Sequence, residues 1–212
     1  MQLAQDSLPI ADEPTSSTPS RSMRRWWALV PAVAAASAVV FAVSTSTATS
    51  ALATWTAVPT KPSSQVAAAA ASSCKESAPA EAAPTIIEQR GTVAMVLLVD
   101  QSWTAACVWS DVDQSSVAGS IEELGPSPTG GDVTITTQLS TWSDVDGAWT
   151  AIHGRVGPDV AEVVVTRDSG EPVTATVDGG RFAAWWPGNA AAASVAPYGV
   201  DGTALPVALA GR

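Results

Sequence analysis

Residues 160–186 read VAEVVVTRDSGEPVTATVDGGRFAAWW, three apolar runs separated by Asp168-Ser169-Gly170-Glu171 and Asp178-Gly179-Gly180-Arg181. Both separators carry glycine, which takes up the positive φ of a tight hairpin without a steric cost. The stretch therefore predicts three consecutive antiparallel strands over 160–167, 172–178 and 181–186. Upstream, 92–99 is an almost unbroken apolar run ending at Asp100, and 104–109 follows a short Asp-Gln-Ser turn, the pattern of a hairpin with one well-buried strand. After a breaker at 126–131, segments 133–139 and 149–153 add two more strands, and 205–209 supplies a last one. Repeated short strands with turn signals between them predict a mainly β, antiparallel β-sandwich-like domain over 85–212, with a small barrel as the neighbouring architecture.

The chain ahead of that domain has a different texture. Residues 26–43, WWALVPAVAAASAVVFAV, form eighteen consecutive uncharged positions. As a helix they extend roughly 27 Å, close to the ~30 Å hydrocarbon thickness of a bilayer. Arg21, Arg24 and Arg25 stand immediately before the run, and Trp26 and Trp27 suit the interfacial belt, so the positive flank predicts a cytoplasmic N-terminus and an extracytoplasmic remainder. On this reading 1–25 is a disordered cytoplasmic tail, 26–48 a transmembrane helix and 49–84 a spacer rich in Ala, Ser and Pro, with a short helix at 66–73. A competing reading takes Ala51-Leu52-Ala53 as a signal-peptidase site, which would release a secreted chain starting at Thr54.

The 212 residues carry a formal charge of −10, and all of it lies beyond residue 53, where seven basic side chains face seventeen acidic ones. No basic stripe is present to neutralise phosphates, which argues against nucleic acid as a partner. Cys74 and Cys107 are the only cysteines. Both fall in the exported part, where a disulfide persists, and a bridge between them is expected; the alternative is two free thiols.

Chemical motifs are sparse. His153 is the sole histidine, so a Ser-His-Asp or Cys-His scheme would have to run through it, and no Gly-x-Ser-x-Gly elbow accompanies it. No phosphate-binding Gly-rich loop, His-Glu-x-x-His helix or four-cysteine cluster occurs. Neither a catalytic residue nor a cofactor is expected. Trp-Ser-Asp-Val-Asp occurs at 109–113 and again at 142–146, making Asp111, Asp113, Asp144 and Asp146 weak candidates for calcium, which favours several carboxylate oxygens. An EF-hand register over the first copy would use Asp111, Asp113, Ser115 and Glu122. It fails at Ser116, where that loop needs glycine, and the second copy has Arg155 at the twelfth position. Nine of the twelve aromatic residues are Trp. Trp185 and Trp186 point to opposite faces of one strand, so one of them is a candidate for stacking on a sugar ring or a peptide, against core packing as the alternative.

Gly154-Arg155-Val156-Gly157-Pro158-Asp159-Val160 and Gly180-Arg181-Phe182-Ala183-Ala184-Trp185-Trp186-Pro187-Gly188 resemble a family of uncharacterised single-pass membrane proteins of high-GC Gram-positive bacteria, over roughly residues 85–210. The resemblance implies an exported β domain and brings no activity with it. The Gly-rich turns before a short aromatic strand are also similar to carboxypeptidase-regulatory and transthyretin-like β modules, which implies a fold alone. The expected role is a non-catalytic cell-envelope module, anchored in the membrane and offering a surface to an envelope protein or glycan. Alternatives are an envelope-sensing signalling subunit that docks through its short cytoplasmic tail, and a secreted hydrolase using His153 or a carboxylate pair.

Overall fold

The structure is a computed structural model that describes residues 51–112, 114, 116–143 and 147–206. The expected tail (1–25) and transmembrane helix (26–48), with Arg21, Arg24, Arg25, Trp26 and Trp27, lie outside the described residues. Among the described residues no helix is long and apolar enough to cross a membrane.

Ten strands form two antiparallel sheets. The first comprises β1 (Ala83–Arg90), β2 (Val93–Val99), β3 (Trp103–Ser110) and β4 (Ser116–Glu123), side by side in chain order. The second contains β5 (Val133–Ser143), β6 (Gly147–Val156), β7 (Glu162–Arg167), β8 (Pro172–Asp178), β9 (Arg181–Pro187) and β10 (Ala192–Tyr198), in the order β10-β7-β8-β9-β6-β5. The meander read from 160–186 is present as β7, β8 and β9.

Strand β2 is apolar throughout because both of its faces are covered. Val93, Met95, Leu97 and Val99 pack against Trp149, Ala151, Ala183 and Trp185 of the second sheet. Ala94, Val96 and Leu98 face the other way and meet the helix α1 (Ser64–Lys75) through Ala70 and Cys74. The second sheet is also covered twice, because it bends at β8. That strand pairs with β7 through residues 172–175 and with β9 through 176–178. The bend brings Val163, Val165, Val173 and Val195 onto Ile152, Phe182, Ala184 and Trp186, a separate apolar cluster.

Residues 51–84 are part of this architecture, which corrects the expectation of a spacer. Ala51–Thr54 form a 3₁₀ turn with Ala51 buried and Leu52 packed on the inter-sheet core. The amide of Thr92 donates to the Thr54 hydroxyl oxygen at 2.9 Å. Thr60 then pairs with Gln89 at the edge of β1. Helix α1 starts at Ser63, whose hydroxyl accepts from the Val66 amide, a standard N-cap. Its alanines are small enough to let the helix lie close to the sheet. A disulfide between Cys74 and Cys107, with an S–S distance of 2.03 Å, ties the last turn of α1 to the middle of β3.

Three strands carry no clear strand pattern in the sequence. β1 turns Glu88 and Arg90 inward, so its polar residues mimic a solvent face. β4 is short of bulky apolar residues and contains Gly119, and β10 contains Pro197. The strand expected at 205–209 is not found over its described part: Leu205 and Pro206 lie outside any strand, with neighbouring Ala204 making one isolated bridge to Tyr198, and 207–209 lie outside the described residues.

Candidate functional site

Trp185 and Trp186 do lie on opposite faces of β9, yet both are 0% exposed. A simple two-sheet sandwich would leave one face of β9 open; here Trp185 enters the inter-sheet core and Trp186 the core made by the bend at β8. The Trp186 indole N–H donates to the Ala190 carbonyl at 2.8 Å. Neither ring offers a face for stacking, and Trp109 and Trp149 are buried as well.

Of the four candidate calcium ligands, Asp113, Asp144 and Asp146 lie outside the described residues. Asp111 sits exposed in the turn after β3, where its carboxylate accepts from the Gln114 side-chain amide at 3.2 Å. A strand, not the helix an EF-hand requires, leads into it. Among the described residues no three His, Cys, Asp or Glu side chains converge as metal ligands would.

His153 lies in β6, between Thr137 of β5 and Ala183 of β9, and is 1% exposed with no hydrogen-bond partner for Nε2. Burial, and then the nearby Arg181 guanidinium, hold its pKa at about 4. It is neutral at pH 7 and buried, so a hydrolytic scheme through it has no direct solvent access; on its face the half-buried Arg155 and Arg181 are the side chains that reach solvent. Two arginines share its face of the sheet. Arg155 follows two residues along β6 and stands directly opposite Arg181 of β9.

A polar cluster that the sequence did not suggest lies between the sheets. Arg90 is fully buried, and all five of its N–H donors are used. Nε donates to Glu88 Oε1 at 2.8 Å and Nη2 to Glu88 Oε2 at 3.3 Å. Nη1 donates to the carbonyls of Thr56 at 3.1 Å and Ala57 at 2.7 Å, and Nη2 also reaches the carbonyl of Thr174 at 2.6 Å. Thr176 donates its hydroxyl to Glu88. Burial pushes the Glu88 carboxyl above its ordinary range, against the opposing pull of Arg90 and Thr176. One guanidinium thus joins β1, β8 and the stretch before α1. Trp55 completes the cluster: its N–H donates to the Trp185 carbonyl at 3.0 Å, and Arg90 and Arg167 lie 6.0 and 5.4 Å from its ring centre. The cluster could be found only from inter-strand partners, since in sequence Glu88-Gln89-Arg90 reads as an exposed polar end.

Beside Glu88 a cavity of about 320 Å³ opens between β1 and β8, lined in part by Pro59, Thr60, Ile87, Thr176 and Asp178. Its size is at the lower end for small-molecule sites, but every donor of Arg90 is already spent, which leaves the clamp with a structural task. No family model matches the chain, and no curated protein or solved structure is significantly similar to it.

Proposed function

We propose that the protein is a non-catalytic cell-envelope protein: a β-sandwich held at the extracytoplasmic side of the membrane by a retained helix over 26–48, presenting a surface to an envelope protein or glycan. The observation that carries this reading is the disulfide between Cys74 and Cys107, downstream of an arginine-flanked apolar run. Such a bond persists in oxidising compartments and is rare in a reducing cytosol. The positive flank at Arg21, Arg24 and Arg25 gives the matching orientation.

Retention of the anchor is favoured over cleavage after Ala53 by the packing of the 3₁₀ turn. A chain starting at Thr54 would lose buried Ala51 and the core contact of Leu52. It would also lose the Ala51 carbonyl, which accepts from the Thr54 hydroxyl at 3.0 Å and the Thr92 hydroxyl at 3.3 Å. The burial of His153 favours a surface-presenting role over a hydrolase built on that histidine. Reporter fusions after Val43 test the orientation. Activity of a reporter that works only outside the cytoplasm is expected; activity confined to a cytoplasmic reporter would overturn the reading.

A further inference from the structure

Arg155 and Arg181 are an unusual pair for so acidic a chain. Residues directly opposite in an antiparallel pair project to the same face, and like charges placed there repel. A carboxylate normally intervenes. Here the ion pairs among the described residues are Arg90–Glu88 and Arg167–Glu171, and neither includes Arg155 or Arg181. Asp178, opposite Arg181 on β8, is exposed and makes no ion pair with it. The Arg181 guanidinium has no hydrogen-bond partner among the described residues. Arg155 is held by one edge only, with Nη1 donating to the Gly125 carbonyl at 2.6 Å and Nη2 to the Ser127 hydroxyl, while its Nε is buried without a partner. On the same face, two residues back along β6, His153 carries a second buried nitrogen with no partner, Nε2.

Buried polar groups left unpaired are rare and costly, and two on one sheet face beside two opposed guanidinium groups suit a negative ligand. We propose that Arg155, Arg181 and His153 form a binding site for a small oxyanion, a carboxylate or phosphate group. Arg155 supplies a fixed donor, positioned by its bonds to the chain after β4. Arg181 supplies the second, closing on the anion as a guanidinium does on a carboxylate. The His153 ring, kept neutral by its burial and the adjacent guanidinium, can donate an Nε2 N–H as one tautomer, and an anion that offsets the Arg181 charge favours its protonation. The site stands independently of where the protein resides.

The test uses the full chain, purified in detergent, with thermal unfolding followed in sodium phosphate or sodium acetate against sodium chloride at equal ionic strength. A concentration-dependent rise in Tm beyond the chloride control is expected, since a ligand that binds only the folded state stabilises it. The larger response of the two salts identifies the preferred oxyanion. Arg181→Gln should weaken the response by about tenfold or more, as a charge-assisted contact is lost. Lys75→Gln, an exposed charge at the end of α1, should leave it unchanged. Without added anion Arg181→Gln should be at least as stable as the parent, because the variant removes a repulsion. Equal responses in the parent and Arg181→Gln, no response to either salt, or a destabilised Arg181→Gln in chloride would each overturn the site.

Discussion

Acidification should destabilise this protein through one side chain before general acid denaturation begins. His153 has a folded pKa of about 4 against an ordinary 6.5, with burial as the larger cause and Arg181 as the second. Between those values the unfolded chain takes up a proton at this position and the folded chain does not, so stability falls as pH drops. The contribution is fully present above about 6.5, declines by about 1.4 kcal/mol per pH unit, and is exhausted below about 4. The accumulated loss is about 3 kcal/mol, a large fraction of the 5–15 kcal/mol typical of a domain. His153 is the sole histidine, and the raised Glu88 carboxyl acts with the opposite sign, so comparison with a His153 variant isolates the His153 share. Urea unfolding at pH 7.5, 6.5, 5.5 and 4.5 should give a steadily falling stability for the parent. His153→Phe, which keeps a ring of similar size and removes the unpartnered Nε2, should flatten the curve between 6.5 and 5.5. Identical slopes in the two proteins, or a His153 pKa near 6.5 measured by NMR, would refute the argument from burial.

Replacing both Cys74 and Cys107 by Ala opens a loop whose ends are 33 residues apart and should cost about 4 kcal/mol on the chain-entropy model; a loss under about 1 kcal/mol in urea unfolding would show that α1 holds to β3 without the bond. Arg90→Met strands a buried Glu88 carboxylate and should cost about 3–5 kcal/mol, whereas Arg90→Met with Glu88→Leu should recover much of it; unfolding midpoints that do not separate the two variants would contradict the clamp. Gly154→Ala would drive a methyl into the Thr134 carbonyl oxygen and to 2.7 Å from the Phe182 ring, so β5 must separate from β6; a loss of about 1–3 kcal/mol or more is expected on the scale of overpacking, and an unchanged Tm would show that the strands can part freely.

The parts of the fold legible in the sequence are those where local chemistry decides. Gly170 and Gly180 adopt the positive φ that tight turns require, and β7, β8 and β9 follow from them. Strand β2 announces itself because its residues are apolar on both faces. Segment 51–84 did not, since alanine and serine serve equally for a loose tether and for a helix that must approach a sheet closely. The deciding partner, Cys107, lies more than thirty residues away. For the same reason β1 was hidden: Glu88 and Arg90 look like solvent residues until β8 supplies Thr174 and Thr176 to receive them. Alternation correctly separated Trp185 from Trp186, but only the bend at β8 shows that both faces of the strand are covered. The opposition of Arg155 and Arg181 is a matter of register between β6 and β9, which turn chemistry alone does not set.

The proposed arrangement is an exported domain still joined to its anchor. Intact mass measurement on the protein taken from native membranes, alkylated before lysis, tests it in one step. The expected result is a chain beginning at Met1 or Gln2 with no alkyl group on Cys74 or Cys107. A chain starting at Thr54 and recovered from the medium, or one carrying two alkyl groups, would contradict it.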